Sequence, residues 1–224
     1  MPKRSVLLLC MLFLAFPKLS HALLMTQGGE IDITFPAPAG NSHLAATATV
    51  TLSSLTSSSA VLDILINNNS SGDTGFTDRL TAFGFNMTPT PTANSNLPIT
   101  FVSGTNAFQT AGTPDAVPSI SPENVCAWVG TNCSAGNAGL TAGLHDEFTL
   151  TLAGTYNTTT GIDLSTFGIK WTDCDGCSFE ILGTAILDGG GGGGGGSVPE
   201  PPTLLLLGGG LIGFGAMRHW KAGR

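Results

Sequence analysis

The sequence predicts an all-β protein: a single antiparallel β-sandwich or jelly-roll domain, with a cleavable N-terminal signal peptide before it and a short C-terminal transmembrane helix after it. Three observations carry that reading. Thr, Ser, Gly and Asn dominate the middle of the chain while Lys, Glu and Arg are scarce there, a composition that suits strands and turns and starves helices. Glu147-Phe148-Thr149-Leu150-Thr151-Leu152 alternates apolar and polar residues, the pattern of a strand with one wet face. The two ends are different, each an apolar run flanked by basic residues.

At the N-terminus, Lys3 and Arg4 form a positive n-region and Val6 to Phe16 an apolar h-region of 11 residues, too short to span a bilayer. Ser20-His21-Ala22 places small residues where a signal peptidase reads them, so cleavage is expected between Ala22 and Leu23. Cys10 leaves with the signal. The mature domain is then 23–188, about the size of one domain.

Further strands are expected at Ala46 to Leu52, Val61 to Asn67, Leu80 to Asn86, Ile99 to Val102, Phe167 to Trp171 with Lys170 outward, Phe179 to Leu182 and Thr184 to Leu187. With Phe148 to Leu152 these make eight short strands separated by Gly, Asn and Pro, which points to a sandwich or jelly roll. One helix start stands out: Ser121-Pro122-Glu123, with Ser121 as cap and Pro122 in the first turn, launching no more than one or two turns.

Four cysteines survive signal removal: Cys126, Cys133, Cys174 and Cys177. An even number in an exported domain suggests two disulfides, for which three pairings exist. Two local bridges are favoured. Cys126 to Cys133 closes a Gly/Asn loop, and Cys174-Asp175-Gly176-Cys177 reads as a hairpin tip, since Asp-Gly is a preferred two-residue turn. A redox pair needs a helix N-terminus to lower the first thiol's pKa, and no helical pattern follows Cys177. Zinc held by all four thiolates is disfavoured by an oxidising compartment.

Charge is lopsided. Of 15 acidic residues only Glu200 lies outside 23–197, and of eight basic residues only Arg79 and Lys170 lie inside, which leaves 14 acids against two bases and a net charge near −12. Such a surface repels phosphate backbones and excludes nucleic acid as a partner. Catalytic material is sparse too: the mature domain holds only His43 and His145, so no catalytic residue is assigned and the chain is not read as an enzyme. His145-Asp146-Glu147 as part of a hydrolytic site is set aside, because three neighbours in a loop leading into a strand point different ways and such a triplet is usually solvated. Calcium is a weak reading of Asp73 to Asp78 and of Asp173 with Asp175; neither has the ligand spacing of a calcium loop, and turn chemistry accounts for both. No cofactor is expected.

After Leu187 the fold must end. Gly189 to Gly196 is a run of eight glycines, which cannot pack a core and is costly to order, so 189–197 is a flexible linker. Then come Val198, Pro199, Glu200 and Pro201, an uncharged stretch from Thr203 to Met217, and the basic residues Arg218, Lys221 and Arg224. The prolines keep Glu200 in extended, accessible chain. Fifteen residues at about 1.5 Å rise reach roughly 22 Å, short of a hydrocarbon core about 30 Å thick. This is a segment for transient retention, with its basic end on the cytoplasmic side. An ordinary single-pass tail anchor is the alternative, weakened by that length.

In that order at the end of the chain, Pro199-Glu200-Pro201, the Leu/Gly-rich span and the basic cluster resemble the PEP-CTERM sorting signal of Gram-negative bacteria. The cluster is broken by His219, Trp220 and Ala222, unlike the denser Arg runs common in that family. Leu80 to Asn86, Phe148 to Leu152 with Ile162 to Ser165, and Phe167 to Trp171 also resemble segments of exported proteins that carry this signal. The resemblance implies three encounters: with signal peptidase, with the membrane, and with an exosortase that removes the tail near the Pro-Glu-Pro motif. It also implies an inner-membrane intermediate and then the cell surface or extracellular matrix. The function expected is that of a structural or adhesive envelope protein associated with exopolysaccharide and biofilm. The alternative is a carbohydrate-binding or carbohydrate-active domain on the same scaffold.

Overall fold

Alternation of aliphatic and hydroxylated residues builds most of the strands in the computed structural model, which describes residues 22–71, 78–113, 123–130, 138–172 and 178–188. The chain divides into two units, Met1–Gly190 and Gly191–Arg224; the fold described is that of the first. Residues 1–21 of the expected signal, the linker and the whole sorting segment, including its expected transmembrane helix, lie outside the described residues.

The described residues form twelve strands and no helix: β1 (Leu23–Met25), β2 (Glu30–Phe35), β3 (Ala46–Leu55), β4 (Ser59–Asn68), β5 (Arg79–Thr88), β6 (Ile99–Gly104), β7 (Thr110–Gly112), β8 (Val125–Trp128), β9 (His145–Ala153), β10 (Ile162–Thr172), β11 (Ser178–Leu182) and β12 (Thr184–Asp188). They make two antiparallel sheets. The first runs β1-β10-β5-β8-β7 with β11 also on β10; the second runs β12-β2-β3-β4-β9-β6. One apolar cluster draws on both sheets, giving a sandwich-like, all-β fold. Phe35 of the second sheet meets Phe83 of the first edge to face, with ring centroids 6.3 Å apart, a favoured aromatic geometry.

Strand β3 shows how sequence becomes layer. Ala46, Ala48, Val50 and Leu52 are buried, while Thr47, Thr49 and Thr51 stand on the outer face. There the hydroxyls meet carboxylates on neighbouring strands. Thr49 Oγ1 donates to Asp32 Oδ1 at 2.8 Å, Thr51 Oγ1 to Glu30 Oε2 at 3.1 Å, and Thr149 Oγ1 to Asp63 Oδ1 at 2.8 Å. Threonine thus supplies both β-propensity and donors for an acidic face.

Two sequence expectations need correction. The helix launched at Ser121 does not form: Ser121 and Pro122 lie outside the described residues, but Glu123 and Asn124 are irregular and Val125 already begins β8. Asn124 turns its side chain to the β5 backbone, accepting from Met87 N–H at 2.8 Å and donating to Met87 O at 2.8 Å. Burial of all four β8 residues then overrides the local helix signal. Lys170 lies on the face away from the main core, as strand alternation requires, yet it is only 8% exposed. Its Nζ sits 3.1 Å from Glu180 Oε1, directly across the β10–β11 ladder.

Candidate functional site

The His145-Asp146-Glu147 triplet occupies the first three residues of β9, not a loop before it, so alternation separates the side chains. His145 is exposed, whereas Asp146 is completely buried and not solvated as the sequence suggested. Its two oxygens divide between two backbone donors: Asn106 N–H reaches Oδ1 at 2.8 Å and Phe108 N–H reaches Oδ2 at 2.8 Å. Burial pushes the carboxyl above its ordinary range, outweighing the backbone amides of Phe108, Asn106 and Ala107 and the charge of His145, which pull it down. Glu147 instead accepts from Ser103 Oγ at 2.6 Å. The three side chains do not converge on one point where a substrate could react.

What Asp146 does is fix the 105–109 connection between β6 and β7. Thr105 N–H also donates to His145 O at 3.2 Å, and Asn106 holds a left-handed φ of 54°, a conformation that needs such support in a non-glycine residue. Phe108 from the same segment packs on Phe148 with centroids 5.4 Å apart. The segment forms one wall of an open cleft of about 510 Å³, whose polar lining is Arg79, Thr105, Asn106, Gln109, Thr110 and Thr141. Among the described residues no carboxylate lines it, although the domain is strongly acidic. Hydroxyl and amide groups can both donate to and accept from the hydroxyls of a sugar. Nothing in the sequence pattern brought these residues together, because they come from three separate segments.

The weak calcium segment is described only at its last residue. Asp78 is buried, with its Oδ1 3.4 Å from His43 Nε2. Its carbonyl accepts from Asn68 Nδ2 at 2.6 Å, and that amide also donates to Leu140 O at 2.7 Å. Asp78 therefore belongs to a knot that ties the ends of β4 and β5. Among the described residues, no group of three His, Cys, Asp or Glu side chains is placed to hold a metal ion. Asp73, Asp173 and Asp175 lie outside those residues.

Of the four cysteines only Cys126 is described. It is buried in β8 beside Ala82 and Trp128, on the face of the first sheet away from the main core, with its Sγ 3.7 Å from Ala127 O. Cys133, Cys174 and Cys177, and with them both expected disulfides, lie outside the described residues. The strands flanking Cys174 and Cys177 do pair antiparallel, Thr172 opposite Ser178. Leu23, on the mature side of the expected cleavage point, is the first residue of β1 and pairs with Leu164.

The sorting residues Val198, Pro199, Glu200 and Pro201, with the basic Arg218, Lys221 and Arg224, also lie outside the described residues. Comparison with known families bears on them directly. The family model of the PEP-CTERM protein-sorting motif matches residues 197–218. That span takes in the Pro-Glu-Pro sequence, the apolar stretch and Arg218, and covers about a tenth of the chain. No curated protein and no solved structure matches significantly. The chain therefore carries a PEP-CTERM sorting motif at its C-terminal end, which supports its being a PEP-CTERM sorting-domain protein and implies export to the cell surface with recognition by an exosortase.

Proposed function

We propose that the chain is a non-enzymatic envelope or matrix protein, a structural or adhesive β-domain delivered among extracellular polysaccharides and contributing to biofilm. The observation that carries this reading is the sorting motif at 197–218, placed after a run of glycines and an all-β domain. The acidic, threonine-rich outer face supports it, since such a face keeps a protein soluble outside the cell. Signal peptidase acts between Ala22 and Leu23, the apolar segment holds the chain in the membrane, and the exosortase cuts near Pro199-Glu200-Pro201. Intact-mass measurement of exported protein, in hosts with and without an exosortase, tests the sequence of events. The expected mass begins at Leu23 and lacks the tail only when the exosortase is present. A tail intact in both hosts overturns the sorting step, and retention in the cytoplasm overturns the whole reading.

A second reading, carbohydrate binding, is favoured by the cleft beside Asn106 and Gln109. Among the described residues its polar lining is amides, hydroxyls and the Arg79 guanidinium without a carboxylate, groups that can hydrogen-bond the hydroxyls of a saccharide. A glycan array probed with and without calcium tests it. Binding that is lost in Asn106→Ala and Gln109→Ala supports the reading; an array without signal removes it.

A further inference from the structure

The second sheet has an even number of strands, and that parity has a consequence for assembly. Each step in the order β12-β2-β3-β4-β9-β6 is antiparallel. Five antiparallel steps leave the two edge strands running in opposite directions. A copy set beside another along the sheet therefore presents its β12 antiparallel to its neighbour's β6, the arrangement in which a ladder can continue without turning either molecule over.

The edges are also where apolar surface is left over. Among the described residues seven large apolar side chains are exposed, and four of them belong to these two strands: Phe101 at 45% and Val102 at 51% on β6, Ile186 at 68% and Leu187 at 41% on β12. Soluble sandwiches commonly guard such edges with Lys or Pro, but neither strand contains a Lys, an Arg or a Pro. Val102, the extra residue of a bulge between Phe101 and Ser103, is the single irregularity in the pairing of β6. Among the described residues β6 pairs only with β9 and β12 only with β2.

The first sheet makes the contrast. Its outer strand β7 is three residues long, and the preceding chain lies along it: Leu97 N–H donates to Ala111 O at 2.8 Å and Thr113 N–H to Asn94 O at 2.8 Å. Among the described residues one sheet is closed off at that side and the other is open at both.

We infer that the occupant of each open edge is a second copy of this chain, β6 of one molecule adding to β12 of the next in a head-to-tail strand contact. Such a contact joins two different surfaces, so it does not close on itself in a pair. Strands in a sheet rotate by roughly 20 to 25° per step, so successive copies turn in one sense and the product is a twisted filament. The inference gives the matrix reading a physical form while standing apart from the sorting steps, which the mass measurement tests separately.

The test uses purified exported protein and two variants, Val102→Lys on β6 and Ile186→Lys on β12, followed by sedimentation velocity over a wide concentration range. Parent protein is expected to grow beyond dimers as concentration rises. Each variant alone stays monomeric, and an equal mixture forms a dimer and nothing larger, because each variant keeps one intact edge. A parent that stays monomeric throughout overturns the inference. So does a variant that dimerises with itself, which would mark a two-fold contact. Melting curves matching the parent's confirm folding, and Thr100→Lys with Thr184→Lys repeats the experiment on the same strands should either first variant fail to fold.

Discussion

Both carboxylate oxygens of Asp146 accept backbone amides, so the side chain holds the 105–109 segment. Asp146→Asn turns one acceptor into a donor facing a buried N–H. The expected cost is about 1–3 kcal/mol, the penalty of one buried donor left unsatisfied, read from urea denaturation. Burial raises the Asp146 carboxyl above its ordinary value of 3.8. The folded state holds that proton more tightly than the unfolded chain does, so the residue's contribution is full below that pH and falls as pH rises through the folded value. The gap between parent and variant should narrow accordingly, and urea midpoints on either side of that window check the sign. Tyr156 gives a second case. Its hydroxyl lies 3.3 Å from Leu152 O and 3.2 Å from Ala153 O, and burial pushes its pKa from 10.0 up to about 12. By the same sign its contribution holds below pH 10.0 and is lost as pH rises through about 12. Tyr156→Phe should cost about 0.5–1.5 kcal/mol at neutral pH and remove that part of the alkaline loss.

At the scale of elements, the Lys170–Glu180 pair decides how β11 is held on β10. Both side chains are largely buried, 10% and 15% exposed, and removing one partner of such a pair leaves a poorly solvated charge. Lys170→Met alone should therefore destabilise more than the double change with Glu180→Leu, a difference that a double-mutant cycle by thermal melting reads. Strand β1 depends on Gly161, which has φ of 82° and whose Cβ, if present, would run into the Met25 carbonyl. Gly161→Ala should loosen the Leu23–Met25 ladder and speed amide exchange there, with the exchange of β3 and β4 unchanged.

Element legibility followed the same physics. β3 and β9 were readable because one face is apolar and the other carries hydroxyls or charges for most of its length, β4 because Ala60, Leu62, Ile64 and Ile66 make an unbroken inner face, and β5 because Phe83, Phe85 and Met87 recur at every second position, although its centre is buried on both faces. β2, Glu30–Phe35, alternates just as well and was legible on the same ground, although no strand was expected there. β8 carried none: Val125–Trp128 is buried on both faces, so no polar period marks it, and a helix cap precedes it. β1 and β7, three residues each, are too short for a period to show. β10 starts at Ile162, five residues before its legible part, because a bulge at Thr166, φ 51°, breaks the alternation.

The whole molecule is stitched by contacts distant in sequence. β9 lies between β4 and β6, pairing Asp63 with Thr149 across 86 residues. Such topology predicts folding in milliseconds to seconds, as for other non-local β-domains, measurable by stopped-flow refolding. Export adds a further expectation: replacing Pro199, Glu200 and Pro201 together by Ala should leave exported protein with its tail attached even where an exosortase is present, read as an added mass.

Destination was written in the sequence, because a sorting signal is read by other proteins as a linear segment and needs no folded partner within its own chain. The all-β class was written there too, since composition and a period of two are local properties. Which strands are edges, where Asp146 and Lys170 go, and how Asn106, Gln109 and Arg79 come to share a cleft were decided by tertiary structure alone. Those outcomes depend on which strands become neighbours, and long-range burial chooses the neighbours.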